Sequence, residues 1–241
     1  MHEGMTKIGA STFSGCSSLQ NVNIPYGVVV IGQSAFKKCT SLASVSIPTG
    51  VTEIADNTFE SCTSLFSINI PEGVKSIGAY AFSYTYKLSS VILPEGLTSI
   101  GKCAFYCSGI NTITMPESVD EVGSYAFHGC SKITQPIYTK TMFIKMPQKF
   151  NGAYKVPEGI IRICEYAFYE CSNLTSVSLP SSLNIIDSES FEDCKGLKQI
   201  VIPEGTIEIG NRAFYGCSGL TSLEIPNSIK TIDAYAFNYC M

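Results

Sequence analysis

Residues 31–53 have the sequence IGQSAFKKCTSLASVSIPTGVTE, and this pattern of 23 residues returns along most of the chain. Its phenylalanine recurs as Phe13, Phe36, Phe59, Phe82, Phe105, Phe127, Phe168, Phe191, Phe214 and Phe237. The isoleucine at position 31 and the leucine at position 42 recur at matching intervals. A fixed period of roughly 20–29 residues is typical of a solenoid, in which each unit buries its apolar side chains only against its neighbours.

Each part of the repeat predicts one part of a coil. Residues 42–47 end in alternating apolar positions, which indicates a short strand, and Pro48 ends it because proline has no N–H to donate to a neighbouring strand. Residues 49–50 predict a turn, residues 51–54 a shorter strand, and residues 35–39 a tight helical bend. The predicted fold is therefore a mainly β, right-handed solenoid of about ten 23-residue units, with parallel strands and short helical bends.

Two breaks interrupt the period. The step to Phe127 is one residue short, and the step from Phe127 to Phe168 is 18 residues longer than one period. We predict a single solenoid over residues 1–241, made of a sub-array over 8–133, an irregular insertion over 134–156 and a second sub-array over 157–241. Neither end has the polar cap that solenoids usually need, so the sequence predicts a fragment of a longer protein.

Composition argues against several classes of function. The formal net charge is −4, so no strong attraction to nucleic acid is expected. No run of 18 apolar residues occurs, so membrane insertion is not predicted within this segment. The first residues lack the basic and then apolar pattern of a signal peptide.

The spacing assigns nine of the eleven cysteines to one phase of the repeat: Cys16, Cys39, Cys62, Cys107, Cys130, Cys171, Cys194, Cys217 and Cys240. We interpret them as a buried ladder, because a free cysteine behaves as a small hydrophobic residue. Disulfides between coils are a weaker alternative, and a metal site is weaker still without a C-x-x-C pair. Cys107 stands one place early, which places the one-residue deletion in its bend. Cys103 and Cys164 lie outside the ladder and are the stronger candidates for reactive thiols, unless they are merely tolerated substitutions.

No catalytic constellation stands out. The chain has only two histidines, His2 and His128, whereas general acid–base or triad chemistry usually relies on a histidine. Acidic residues such as Glu72 and Glu95 repeat in the turn after proline, which indicates a structural choice. We therefore predict no catalytic residue, no cofactor and no metal.

Three surfaces compete as a contact site. The exposed face of the longer strands carries mostly small polar side chains, which favours a solvated face over a shallow ligand surface. Tyrosines such as Tyr80, Tyr125 and Tyr166 repeat along the bends, where they either contact a partner or stack on one another. The third surface is the irregular insertion.

The insertion is the predicted contact site of first choice, with a purely structural joint as the alternative. It is rich in lysine and aromatic residues and contains no acid over residues 134–156. Residues 142–147 predict one arm of a hairpin, with a turn at Asn151-Gly152 and a return arm over 153–156. The candidate partner-binding residues are Tyr138, Lys140, Phe143, Lys145, Lys149, Phe150, Tyr154 and Lys155.

The motif I-G-x-x-A-F-x-x-C-x-x-L-x-x-[IV]-x-[IL]-P-x-x-[VL] resembles the BspA-type leucine-rich repeats. The resemblance covers all but about 25 residues. It implies a bacterial or protist protein that is located at the cell surface or secreted. It also implies a non-catalytic recognition or adhesion module for protein ligands such as host extracellular matrix proteins. The alternative is a structural spacer that presents another domain.

Overall fold

A computed structural model describes residues 3–240 and separates the chain into two compact units, with the boundary between Thr134 and Gln135. Among the described residues all regular elements are short β-strands, and the chain makes about ten turns of a parallel β-solenoid. This confirms the predicted class of fold.

The described part of the first unit, residues 3–134, contains ten strands. They are β1 (Lys7–Ile8), β2 (Val30–Ile31), β3 (Ser44–Ser46), β4 (Glu53–Ile54), β5 (Ser67–Asn69), β6 (Ser76–Ile77), β7 (Ser90–Val91), β8 (Ser99–Ile100), β9 (Thr112–Ile113) and β10 (Glu121–Val122). Strands β4, β6, β8 and β10 form one parallel sheet, and the pairs β1–β2, β3–β5 and β7–β9 are also parallel. Ile77 pairs with Ile54 and Ile100, so residues of equal phase lie side by side.

Residues 135–240, which the structure describes in the second unit, contain nine strands. They are β11 (Ile137–Tyr138), β12 (Met142–Lys145), β13 (Gly152–Lys155), β14 (Arg162–Ile163), β15 (Leu174–Ser178), β16 (Ile185–Ile186), β17 (Gln199–Ile200), β18 (Glu208–Ile209) and β19 (Thr231–Ile232). One sheet has the order β11-β12-β14-β16-β18-β19, and a second has the order β13-β15-β17. All pairs are parallel except β11–β12.

A column of phenylalanine rings fills the interior of each unit. In the first unit, Phe13 to Phe127 stack with ring centroids 5.2–5.6 Å apart and planes within 12° of parallel. In the second, the column starts at Phe143 and runs through Phe168 to Phe237 at spacings of 4.6–5.2 Å. Burial of each ring contributes about 1.5–3 kcal/mol, so the columns are one large apolar contribution to stability beside the buried isoleucine and leucine side chains.

The bends are chains of tight turns, and the expected helical bends are wrong. Around Phe36, the N–H groups of Ala35, Lys37 and Cys39 donate to the carbonyl three residues earlier. The N–H groups of Ser34, Phe36 and Lys38 instead donate to the next coil. This alternation satisfies the backbone between coils, whereas an α-helix would direct successive N–H groups along its own axis.

Two left-handed residues in each regular bend prevent a helix from forming. In the coil that starts at Ile31 they are Ser34 and Lys38, with φ of 58° and 59°. We call these the first and second hinge positions, three and seven residues after the ladder isoleucine. The first is filled by Ser11, Ser34, Asn57, Tyr80, Cys103, Tyr125, Tyr166, Glu189, Arg212 and Tyr235. The second is filled by Gly15, Lys38, Ser61, Tyr84, Cys107, Gly129, Glu170, Asp193, Gly216 and Tyr239.

The predicted hairpin in the irregular segment is also wrong. Strand β12 pairs parallel with β14, and β13 pairs parallel with β15, so the two do not pair with each other. The hairpin that does form is β11–β12, over residues 137–145. Residues 143–162 thus make a shortened coil, in which Phe143 aligns with Ile163 and its ring stacks on Phe168.

Cys107 does not belong to the cysteine ladder. It occupies the second hinge position, with φ of 52°, and Ser108 takes the buried ladder position instead. The Ser108 hydroxyl lies 3.3 Å from the Cys130 sulfur. The deletion therefore follows Ser108, at Gly109, where an added Cβ would overlap the carbonyl oxygen of Tyr86.

Candidate recognition surfaces

The segment predicted as the contact site is divided between surface and interior. We call residues 138–155 the basic segment. Tyr138 is 44% exposed, and Lys140, Lys149 and Lys155 are also exposed. Phe150 and Tyr154 are half-buried against the core of the second unit. Phe143 and Lys145 are 0% and 2% exposed, so they cannot contribute directly to a contact surface.

The aromatic residues of the basic segment are held by one another. Phe150 packs edge-on to Tyr154 at 5.6 Å between centroids, and Tyr154 lies 5.7 Å from Phe143. Tyr138 stacks on Phe143 at 6.2 Å. Because Phe143 belongs to the interior column, the exposed Tyr138 ring is fixed to the core of the unit and presents a preorganised apolar surface.

The buried Lys145 side chain interacts with the backbone of the same unit. Its Nζ donates to the carbonyl oxygen of Tyr166 at 3.4 Å. Lys155, by contrast, makes an exposed ion pair with Glu158, with Nζ 3.4 Å from Oε1. Exposed pairs of this kind contribute little to stability, so the charge of Lys155 is available to a partner.

Each unit also has a shallow cleft on its strand face. In the second unit a cleft of about 520 Å³ is lined by residues of β15 and β17, including Ser176, Gln199 and the exposed Val201. In the first, a cleft of about 240 Å³ is lined by Asn23, Ser46 and Tyr26, which is 92% exposed. Five of the nine residues that line the larger cleft are apolar, and the smaller cleft mixes polar and apolar residues, so these faces are less polar than the sequence indicates.

The tyrosine-rich bends form distinct clusters in the two units. In the first unit, Tyr84 packs edge-on to Tyr106 at 5.5 Å, and Tyr106 stacks on His128 at 5.6 Å. In the second, the Arg212 guanidinium lies 4.8 Å from the Tyr215 ring centroid. Tyr84, Tyr106 and Tyr215 thus pack on neighbouring side chains and are also partly exposed to solvent.

The cysteine ladder has a hydrogen-bonding role. The Cys39 Sγ donates to the carbonyl oxygen of Phe13 at 3.1 Å, and the Cys194 Sγ donates likewise to Phe168. Thr85, which replaces cysteine in one coil, donates to Phe82 at 2.7 Å. The ladder therefore satisfies carbonyl groups next to the phenylalanine column, and all eleven cysteines are free.

Cys103 and Cys164 are poor candidates for reactive thiols. Both are buried, and burial raises the pKa of Cys164 to about 12. Burial also raises the pKa of Cys103. Because the thiolate is the nucleophile, a raised pKa lowers reactivity at neutral pH.

One acidic group was missed by sequence reasoning. Burial, and then the neighbouring Glu189 carboxylate, raises the pKa of Glu192 to about 7. No cluster of three metal-binding side chains occurs among residues 3–240, and His2 lies outside them. Within the same range no helix is long and apolar enough to cross a bilayer. Burial, together with the neighbouring Glu189 and Asp193 in the same bend, explains the pKa of Glu192 without a catalytic role.

Sequence comparison identifies the repeat. The family model of the BspA type leucine rich repeat region matches residues 3–142 and 149–241 in six copies. No curated protein shows significant similarity to the chain.

Solved structures share the fold. A leucine rich cell surface protein from Faecalibacterium prausnitzii is 32% identical with a TM-score of 0.66, over 98% of this chain and 74% of that one. A leucine-rich repeat protein from Bacteroides ovatus is 24% identical with a TM-score of 0.63, over 98% and 80% of the two chains. The pneumococcal vaccine antigen PcpA is 22% identical with a TM-score of 0.63, over 95% and 56%.

Proteins of this family and fold are non-catalytic repeat proteins. The ladders of isoleucine, phenylalanine and cysteine, the parallel register and the extent of the match lead to one assignment. The chain belongs to the BspA-type leucine-rich repeat family.

Proposed function

We propose that this chain is a cell-surface or secreted adhesion module that binds a protein ligand through the exposed part of the basic segment. The observation that carries the proposal is that Lys140, Lys149, Lys155 and the Tyr138 ring are all exposed within one short segment. This cationic and aromatic group contrasts with a chain whose formal net charge is −4. Tyrosine is enriched at protein-binding surfaces, and lysines around it act mainly on the rate and specificity of association.

The similarity to the Faecalibacterium prausnitzii protein supports a surface location, because that relative is described as a cell surface protein. A surface location exposes free thiols to oxidation, and the buried members of the cysteine ladder suit it, whereas Cys16 is exposed. Burial raises the pKa of Cys39 and Cys171 to about 11 and that of Cys62 to about 12. Such thiols form little thiolate and are slow to oxidise.

The charge of the segment favours an acidic partner surface, and an extracellular matrix protein such as fibronectin is the proposed ligand. The test is binding to immobilised fibronectin by biolayer interferometry. Reversing two charges with Lys149→Glu and Lys155→Glu should weaken binding at least about ten-fold, mainly through slower association. Higher salt should weaken the wild type as well.

The matched control is Lys198→Glu with Lys230→Glu, which makes the same change of net charge at two exposed lysines of the same unit. It should bind as the wild type does. Equal loss in both double variants would show attraction by net charge alone and contradict the proposal. If the wild type retains no matrix protein at all, the chain is better explained as a spacer that presents another domain.

A further inference from the structure

The first unit has an aromatic cleft on its bends that the proposed function does not use. Its volume is about 380 Å³, and it is lined by Tyr80, Tyr84, Lys102, Cys103, Tyr106 and Tyr125. Four of these six residues carry a phenol ring. The cleft spans three successive coils, so that no single repeat contains it.

The backbone conformation does not favour tyrosine at the positions that line the cleft. Tyr80, Tyr84 and Tyr125 occupy hinge positions with φ of 57°, 60° and 61°. Bulky side chains are disfavoured in this left-handed conformation, which suits glycine and asparagine. Other coils fill the same positions with residues such as Asn57 and Gly129. Tyrosine here is an unfavourable choice for the backbone, and this points to a use for the ring itself.

Contacts among the rings hold the walls of the cleft in place. Tyr84 packs edge-on to both Tyr86 and Tyr106, at 6.1 and 5.5 Å between centroids. The neighbouring Cys103 thiol raises the pKa of Tyr80, which places the Tyr80 hydroxyl near that side of the cleft. The rings are therefore preorganised, which lowers the entropic cost of binding a ligand.

The charge of the cleft selects the class of ligand. The lining contains Lys102 and no carboxylate. Two acids lie on neighbouring coils outside the lining: Glu60 is paired with Lys37 at 2.7 Å, and Asp56 accepts a hydrogen bond from the Ala79 N–H at 2.7 Å. An ammonium ligand, which aromatic cages often bind, would be repelled by Lys102. An anion is favoured, provided that it also offers an apolar face and hydroxyl groups to the phenols.

We propose that this cleft binds an acidic monosaccharide unit of a glycan, of the uronic acid type. The apolar C–H face of the sugar ring packs on a tyrosine ring, phenol hydroxyls bond to sugar hydroxyls, and Lys102 pairs with the carboxylate. The proposal is independent of the protein-binding role of the basic segment, which belongs to the other unit.

The experiment uses two sugars that differ at one group, methyl β-D-glucuronide and methyl β-D-glucoside. Titration of the whole chain, followed by saturation-transfer difference NMR, should show binding of the glucuronide, with the glucoside about five-fold weaker or more. Lys102→Gln should remove this preference. Lys38→Gln, at an exposed hinge position of the same unit, should leave it unchanged.

A second pair of variants tests the rings. Tyr106→Ala should reduce glucuronide binding at least about five-fold, because the sugar ring loses an aromatic ring on which it packs. Tyr215→Ala, at the equivalent position in a bend of the second unit, should have no effect. Three results would each overturn the proposal: no glucuronide signal with the wild type, equal affinity for both sugars, or no change in Lys102→Gln.

Discussion

The coil at residues 143–162 and the coil at residues 163–185 fill equivalent interior space in different ways. In the regular coil, Ile163 supplies the ladder position and Phe168 the ring of the column. In the irregular coil, Phe143 pairs at the ladder position and its own ring reaches the column. The Met146 N–H donates to the Ala167 carbonyl oxygen. In regular coils the N–H of the phenylalanine makes the equivalent hydrogen bond to the next coil. Each of the two coils places one aromatic ring in the column, and this ring can come from more than one backbone position.

The largest effect should follow from removing either ring. Phe191→Ala leaves a cavity between Phe168 and Phe214, and should cost about 3–5 kcal/mol of unfolding free energy in urea titrations. Phe143→Ala should cost a similar amount, because that side chain is equally buried. Phe66→Ala, at an exposed position, should change stability by less than about 0.5 kcal/mol. A cost below about 1 kcal/mol for Phe143→Ala would mean that the irregular coil is an appended loop.

A second difference between the two coils is the buried Lys145 of the irregular coil. Lys145→Ala removes the packing of the stem and the bond to the Tyr166 carbonyl, and should cost about 2 kcal/mol in the same titration. Lys145→Met should recover part of this loss by restoring the stem. The exposed Lys149→Ala is the control and should be neutral. Equal stability of Lys145→Ala and Lys149→Ala would contradict the burial of Lys145.

The cysteine ladder should show a smaller difference between the two coils. The Cys194 Sγ lies 3.1 Å from the Phe168 carbonyl, whereas the Cys171 Sγ lies 3.7 Å from the Pro147 carbonyl of the irregular coil. Cys194→Ala should cost about 1–1.5 kcal/mol, and Cys171→Ala should cost less. Thermal unfolding can rank the two variants. The reverse order would show that volume rather than hydrogen bonding sets the cost.

The smallest effect concerns pH. The bend of the regular coil that starts at Ile186 carries Glu189, Glu192 and Asp193, whereas the bend at residues 146–151 carries no acid. The pKa of Glu192 is raised to about 7, so the unfolded chain loses this proton at lower pH than the folded protein does. Its stabilising contribution is complete below the ordinary pKa of glutamate and is lost as pH rises through about 7.

Glu192→Gln should therefore be more stable than the wild type at pH 8, by about 1 kcal/mol after allowance for solvent screening. At pH 4 the two proteins should unfold at similar urea concentrations. Glu204→Gln, at an exposed turn, should follow the wild type at both pH values. A wild-type stability that rises between pH 5 and 8 while the variant stays flat would reverse the expected sign.

Sequence periodicity predicts the interior well because every buried side chain has a fixed phase. The ring columns, the isoleucine ladder and the parallel register follow from that phase alone. The hinge positions leave no such signal, since serine, lysine, tyrosine, cysteine and glutamate all occupy them. Cys107 was misassigned for this reason, because a hinge cysteine lies next to a ladder position.

The contact surface was harder to predict than the fold. A lysine in an aromatic segment suggests exposure, yet Lys145 is folded inward by the pairing of β12 with β14. That pairing depends on a shortened coil, which breaks the period on which the sequence argument rests. The tyrosine cleft was visible only as a repeated residue type, and the position of Lys102 beside it required the fold.

The hinge positions have a consequence for protein engineering. Each regular bend is closed by two left-handed backbone conformations rather than by the chemistry of particular side chains. The exposed hinge positions, such as Lys38 and Arg212, could be randomised to display a library of surface side chains while the interior sequence stays constant, whereas hinge residues such as Cys103 and Tyr166 are buried. Glycine and asparagine would serve as the unstrained reference, and any bulkier residue enriched by selection would identify a coil that the target touches.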